Sequence, residues 1–240
     1  MTHALNEKAA PLRNPLCIAL DVDSREKVDS LVDQLGDIAG GFKIGPRLLN
    51  RYGADIVRDI AERAPVFVDC KYLDIPTTME SSVRSAFEIG AALVTVHAQA
   101  GSETLKKLAQ IEKELDAIRP FRILNVTVLT SYSESNLPSI FKSQPIKELV
   151  KSLANEVKSA GLKGIVCSAE ELSSLKEHGF YCVTPGIRFS LEEAGDQKRV
   201  MGPKEAIEQG ASAIVVGRPI IEAKNPREVA TDYLMAVYGR

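Results

Sequence analysis

The chain has 240 residues, 45% of them hydrophobic and 26% charged, with a formal net charge of −2. That is enough apolar material for a large core in one domain, of a size common for α/β barrels, and the near-neutral balance leaves no basic field for nucleic acid. Residues 1–14 read as an N-terminal extension without the apolar run of a signal peptide, and no stretch approaches the roughly eighteen apolar residues of a membrane span. A cytoplasmic protein with no membrane partner is expected.

Short apolar runs alternate with amphipathic segments along the whole sequence. Strands are predicted at 16–20, 41–44, 66–69, 92–96, 122–128, 164–167, 181–184 and 213–216. Helices are predicted at 24–35, 47–63, 78–89, 103–118, 146–160, 169–177, 203–209 and 226–238, with Gly36, Gly90, Gly161, Gly179 and Gly210 as stops. Near-continuous apolar strands indicate parallel strands covered on both faces, so eight strand–helix units predict a single-domain (β/α)8 TIM barrel spanning 1–240. A doubly wound open sheet is the alternative. Polar residues favour the barrel: Asp21, Lys43, Asp69 with Lys71, His97, Thr130, Ser168, Arg188 and Arg218 fall at or just after strand C-terminal ends, where barrel active sites are built.

The third strand ends in Asp69-Cys70-Lys71-Tyr72-Leu73-Asp74-Ile75-Pro76-Thr77-Thr78. Side chains alternate across a strand, so Asp69 and Lys71 share one face and Cys70 takes the other. Pro76 prevents simple continuation of the strand, and Thr77 with Glu80 reads as a capping box opening the next helix. An isolated Asp-x-Lys is most often an ion pair at a sheet rim, Lys43 alone a snorkelling rim residue, and Asp21 alone a turn former. Together they put two carboxylates and two ammonium groups on the first three strands of one barrel mouth, and the alternating signs lower the cost of packing them.

The last strand runs into Gly217-Arg218, and barrels often bind phosphate after strands seven and eight. Gly217 lets backbone N–H groups approach an anion, and Arg218 adds a planar, permanently charged fork. The long connection 186–202 reads as a binding loop or lid. Cys17, Cys70, Cys167 and Cys182 show no Cys-x-x-Cys spacing and read as reduced thiols rather than a metal site.

The string Asp69-x-Lys71-x-x-Asp74-Ile75-Pro76-x-Thr78 resembles the signature of the orotidine 5'-phosphate decarboxylase family, bacterial type, and the resemblance extends from Leu16 to about Ile220. It implies loss of CO2 from orotidine 5'-phosphate (OMP) to give UMP in pyrimidine biosynthesis, with no cofactor and no metal, and with Lys71 delivering a proton to C6. It also implies a homodimer with shared sites. Asp21 and Lys43 would contact the ribose, and Asp69 and Lys71 would join Lys43 in a Lys-Asp-Lys-Asp tetrad completed by Asp74 of the partner subunit, with Ile75 and Thr78 beside it. Thr130 and Ser131 match positions at the pyrimidine. Pro185, Arg188, Gln197, Gly217 and Arg218 match the remaining base- and phosphate-binding positions. Leu73 and Phe189 depart from the family, which often has histidine and proline there; His97 reads as structural.

Two other readings fit parts of the sequence. Mg2+-dependent barrels resembling 3-keto-L-gulonate 6-phosphate decarboxylase share Asp-x-Lys-x-x-Asp but carry an acidic residue at the end of the second strand, where Lys43 would repel the ion. A non-catalytic nucleotide-binding barrel has no need for the Asp69–Lys71 juxtaposition.

Overall fold

The computed structural model describes residues 10–141, 144–189 and 201–239. Eight parallel strands close into a barrel in sequence order: β1 (Leu16–Ala19), β2 (Gly41–Ile44), β3 (Val66–Tyr72), β4 (Ala91–His97), β5 (Arg122–Val126), β6 (Gly164–Val166), β7 (Tyr181–Pro185) and β8 (Ala213–Val216). Closure comes from β8 returning to β1, with Leu16 opposite Ile214 and Ile18 opposite Val216. The open-sheet alternative is excluded by that pairing. β3 continues to Tyr72, beyond the expected end at Asp69, and β5 stops at Val126, short of the expected Val128.

Alternation along the strands sorts the core into two layers. Cys17, Ala19, Phe67, Leu93, Leu124, Val183, Ala213 and Val215 fill the barrel interior. Their neighbours, among them Leu16, Ile18, Phe42, Ile44, Val66 and Val68, face the helices. Burial on both faces is the reason the strands read as apolar throughout. Each fully buried large side chain contributes roughly 1.5–3 kcal/mol. Leu12 joins the interior cluster beneath Gly41, while Arg13 donates to the carbonyls of Gly36 and Arg63 at 3.1 and 2.8 Å. Residues 12–14 therefore pack into the N-terminal end of the barrel; residues 1–9 lie outside the described ones.

The helical layer comprises α1 (Arg25–Leu35), α2 (Pro46–Tyr52), α3 (Asp55–Ala61), α4 (Pro76–Glu88), α5 (Ser102–Asp116), α6 (Ile146–Ala160), α7 (Leu172–Leu175), α8 (Pro203–Glu208), α9 (Arg218–Ile221) and α10 (Pro226–Val237). Among the described residues no helix is long and apolar enough to cross a membrane. The single helix expected over 47–63 is split by Gly53, whose φ of 64° and ψ of −152° suit glycine alone. The segment 169–177 is three short turns, the first closed by a reciprocal Ser168–Glu171 capping box. The capping box expected from Thr77 and Glu80 does not form. Pro76 occupies the first turn of α4 after Ile75, so the helix starts ahead of Thr77 and no side chain caps it.

The strands pack closely enough that one methyl group matters. A Cβ on Gly164, at the start of β6, would lie 2.4 Å from the Ile123 carbonyl oxygen and 2.9 Å from Leu124 Cδ2. Gly164→Ala should therefore destabilise the protein by about 1–3 kcal/mol, read as a lower urea midpoint at unchanged slope. An unchanged midpoint would mean that β5 and β6 can separate without cost.

Candidate active site

Four charged side chains form an alternating row at the C-terminal mouth. Lys43 Nζ lies 3.5 Å from Asp21 Oδ1 and 3.4 Å from Asp69 Oδ2, and Lys71 Nζ lies 2.8 Å from Asp69 Oδ1. Lys43 and Asp69 are each only 13% exposed, whereas Lys71 and Asp21 are 38% and 52% exposed. The inner pair is thus the buried hub, and the outer two groups reach toward solvent.

Burial works against the charge on Lys43, but Asp69 and Asp21 outweigh it and raise its pKa above the ordinary lysine value. Burial would likewise raise the Asp69 carboxyl. Lys43 and Lys71, with hydrogen bonds from the Lys71 ammonium and the Thr95 hydroxyl, overcome this and hold it below the usual range. Both groups are charged at neutral pH. Beneath them, burial pushes the Cys17 thiol up to about 12, which removes it as a nucleophile. His97, at the end of β4, has its pKa drawn down by burial and by Lys71, with Asp69 opposing.

The local backbone departs from a plain strand at this point. Lys71 has φ 50°, and among the described residues it is the only non-glycine with a positive φ. Such a conformation costs on the order of 1–3 kcal/mol. Along the same stretch Val68 pairs with Val94 but Tyr72 with Val96, so four steps on β3 match two on β4. The surplus residues bulge, and bulges beside active sites re-aim side chains; here Lys71 returns to the side of Asp69.

A cavity of about 280 Å3 opens above this row. Its floor is apolar, from Ala19, Phe67, Val126, Val166, Val183 and Val215, and its rim is polar. Nine of the expected site residues line it: Asp21, Lys43, Asp69, Lys71, Thr130, Pro185, Arg188, Gly217 and Arg218. Arg188 is buried and donates from Nη1 to the Ile187 carbonyl at 2.7 Å, while Arg218 is exposed at the start of α9. An apolar pocket with few convergent polar groups suits a small ligand held by its charged ends.

Four expected residues lie elsewhere. Asp74 is exposed, and its Oδ1 accepts the Ile75 N–H at 2.7 Å; Ile75 is 63% exposed, and Thr78 is exposed on α4. Ser131 is exposed just beyond Thr130 and does not line the cavity. Gln197 lies outside the described residues, as do residues 190–200 of the expected lid. Thr95 and the apolar floor were not anticipated. Thr95 carried one faint signal, a hydroxyl at an inward position inside the apolar run Ala91–His97.

Residues 14–233 match the family model described as "Orotidine 5'-phosphate decarboxylase / HUMPS family". A protein of Idiomarina loihiensis named orotidine 5'-phosphate decarboxylase is 40% identical over 224 residues, covering 92% of this chain and 96% of that one. One of the same name from Carboxydothermus hydrogenoformans is 38% identical over 231 residues, covering 93% and 96%. The crystal structure of orotidine 5'-phosphate decarboxylase from Lactobacillus acidophilus superposes with a TM-score of 0.81 at 32% identity, covering 93% of this chain and 99% of that one. With the fold, the row of charges and the match extending over nearly the whole length, the chain belongs to the orotidine 5'-phosphate decarboxylase / HUMPS family.

Proposed function

We propose that this chain is an orotidine 5'-phosphate decarboxylase that converts OMP to UMP and CO2 without cofactor or metal, as a cytoplasmic homodimer in pyrimidine biosynthesis. The observation that carries the reading is the Asp21–Lys43–Asp69–Lys71 row, with contacts of 2.8–3.5 Å, above an apolar floor. Such a row suits a reaction in which a carboxylate is lost as neutral CO2 and its negative charge passes to the adjoining carbon.

The bond that breaks is C6–CO2, and its electron pair stays on C6 until Lys71 delivers a proton there. The pyrimidine ring cannot readily delocalise that pair, so stabilisation must be electrostatic. A charge pair at ~4 Å is worth about 4 kcal/mol at an effective dielectric of about 20, and several such terms, fixed in advance and shielded from water, are required. Asp69 beside the departing carboxylate disfavours the ground state. Lys71 then meets the growing charge. Asp21 and Lys43 hold the ribose; Thr130 and Pro185, which line the cavity, contact the base, where the family likeness would add Ser131 and Gln197; Arg188, Gly217 and Arg218 take the phosphate. Asp74 of the partner subunit completes the tetrad, with Ile75 and Thr78 packed beside it at the interface.

The Mg2+-dependent reading is disfavoured by Lys43, whose ammonium sits within 3.5 Å of both Asp21 and Asp69 and would repel a cation there. An ultraviolet assay of OMP consumption with and without EDTA separates the readings. Turnover indifferent to EDTA is expected. Loss with EDTA would favour the metal-dependent chemistry, and UMP binding without OMP turnover would favour a non-catalytic barrel.

Phosphate binding can be separated from chemistry. Arg218→Ala removes a charge-assisted contact worth about 1.5–3 kcal/mol, so OMP turnover should suffer mainly through KM. Orotidine, which lacks the phosphate, should be little affected. An equal loss on both substrates would make Arg218 structural.

A further inference from the structure

Thr95 lies at the centre of β4 with no solvent exposure, on the inward side that Leu93 also occupies. Its Oγ1 accepts the backbone N–H of Lys71 at 2.8 Å and stands 3.0 Å from Asp69 Oδ1. A hydroxyl has one proton, and the Lys71 amide supplies the other bond, so the Thr95 proton goes to the carboxylate. The same Oδ1 accepts the Lys71 ammonium at 2.8 Å. A closed ring results: Lys71 amide to Thr95, Thr95 to Asp69, and Lys71 ammonium back to Asp69.

The ring sits at the slip in β3–β4 pairing, between the Val68–Val94 and Tyr72–Val96 registers. The backbone there is left-handed at a lysine, and such a conformation persists only where its surroundings over-determine it. Thr95 meets that need from the adjacent strand. Its branched side chain has restricted rotamers, and it does not line the cavity, so it acts through its neighbours rather than on a ligand.

We propose that Thr95 is a positioning residue whose hydroxyl sets the aim of Lys71 and the orientation of Asp69 by bonding both at once. The proposal rests on the reading of this site as an OMP decarboxylase. It assigns Thr95 to the chemical step and not to substrate binding.

The test uses three full-length variants. Thr95→Val keeps branching and volume and removes the hydroxyl; Thr95→Ser keeps the hydroxyl and removes the methyl; Thr95→Ala serves if the valine variant fails to fold. Loss of a hydrogen bond to a charged group predicts a fall in kcat of about 10- to 100-fold for the variants lacking the hydroxyl. KM for OMP and the Kd for UMP should stay within about threefold, and the serine variant should recover kcat to within about threefold of wild type. A valine or alanine variant with wild-type kcat, a loss appearing equally in KM, or a serine variant as impaired as valine would overturn the proposal. Should wild-type protein fail to consume OMP, the functional reading falls, and crystal structures still decide the role of Thr95. Lys71 is then expected to leave its φ of 50° and its 2.8 Å contact with Asp69 in the valine or alanine variant; retention of both would refute it.

Discussion

Lys71→Ala should abolish OMP turnover while leaving UMP binding largely intact. Removing a positioned proton donor alone costs about 10²- to 10⁴-fold, and in the proposed reaction the same substitution also removes the cation that faces the developing charge. The loss should not come from unfolding. Lys71 is 38% exposed, and Asp69 keeps Lys43 at 3.4 Å as a buried partner. The phosphate and ribose contacts proposed for Arg218, Gly217 and Asp21 are untouched. Steady-state turnover and calorimetric UMP titration on the same preparation check both halves. A variant keeping more than about a tenth of the wild-type rate would remove Lys71 from the chemistry, since a true proton donor is worth at least about a hundredfold.

Mixing two inactive variants should restore activity. Asp74 is exposed and absent from the lining of its own cavity, and Ile75 beside it is 63% exposed with Leu73 at 53%. Exposed apolar side chains of this kind suit an interface. If each site takes its Asp74 from the neighbouring copy, a heterodimer of Lys71→Ala and Asp74→Ala chains carries both lesions in one site and none in the other. Such a heterodimer should have half the activity of a wild-type dimer. Random exchange of equal amounts should therefore recover about a quarter of wild-type activity in a two-fold symmetric assembly. Verified heterodimers that stay inactive would contradict the shared site.

Much of this architecture was legible in the residues because the barrel leaves a simple imprint. Strands buried on both faces read as unbroken apolar runs, and the charged residues that interrupt them do so where the strands end. The positions of Asp21, Lys43, Asp69 and Lys71 at the ends of the first three strands therefore suffice to group them at one barrel mouth. What was not legible depends on contacts between distant segments. The left-handed Lys71 and the slip between β3 and β4 arise from fitting two strands of different local length, and Thr95 gains its meaning only from that fit. Competing local signals caused the other differences: Pro76 outweighed Thr77 in starting α4, and Gly53 divided a helix whose apolar pattern ran on.

The proposed reaction requires Lys71 to meet C6 of the pyrimidine. A crystal structure of the protein with UMP bound tests it most directly. Lys71 Nζ should point at C6 from about 3–3.5 Å, as a near-attack geometry requires, with the phosphate at Gly217 and Arg218. A UMP complex with C6 turned away from Lys71, in protein that consumes OMP, would contradict it.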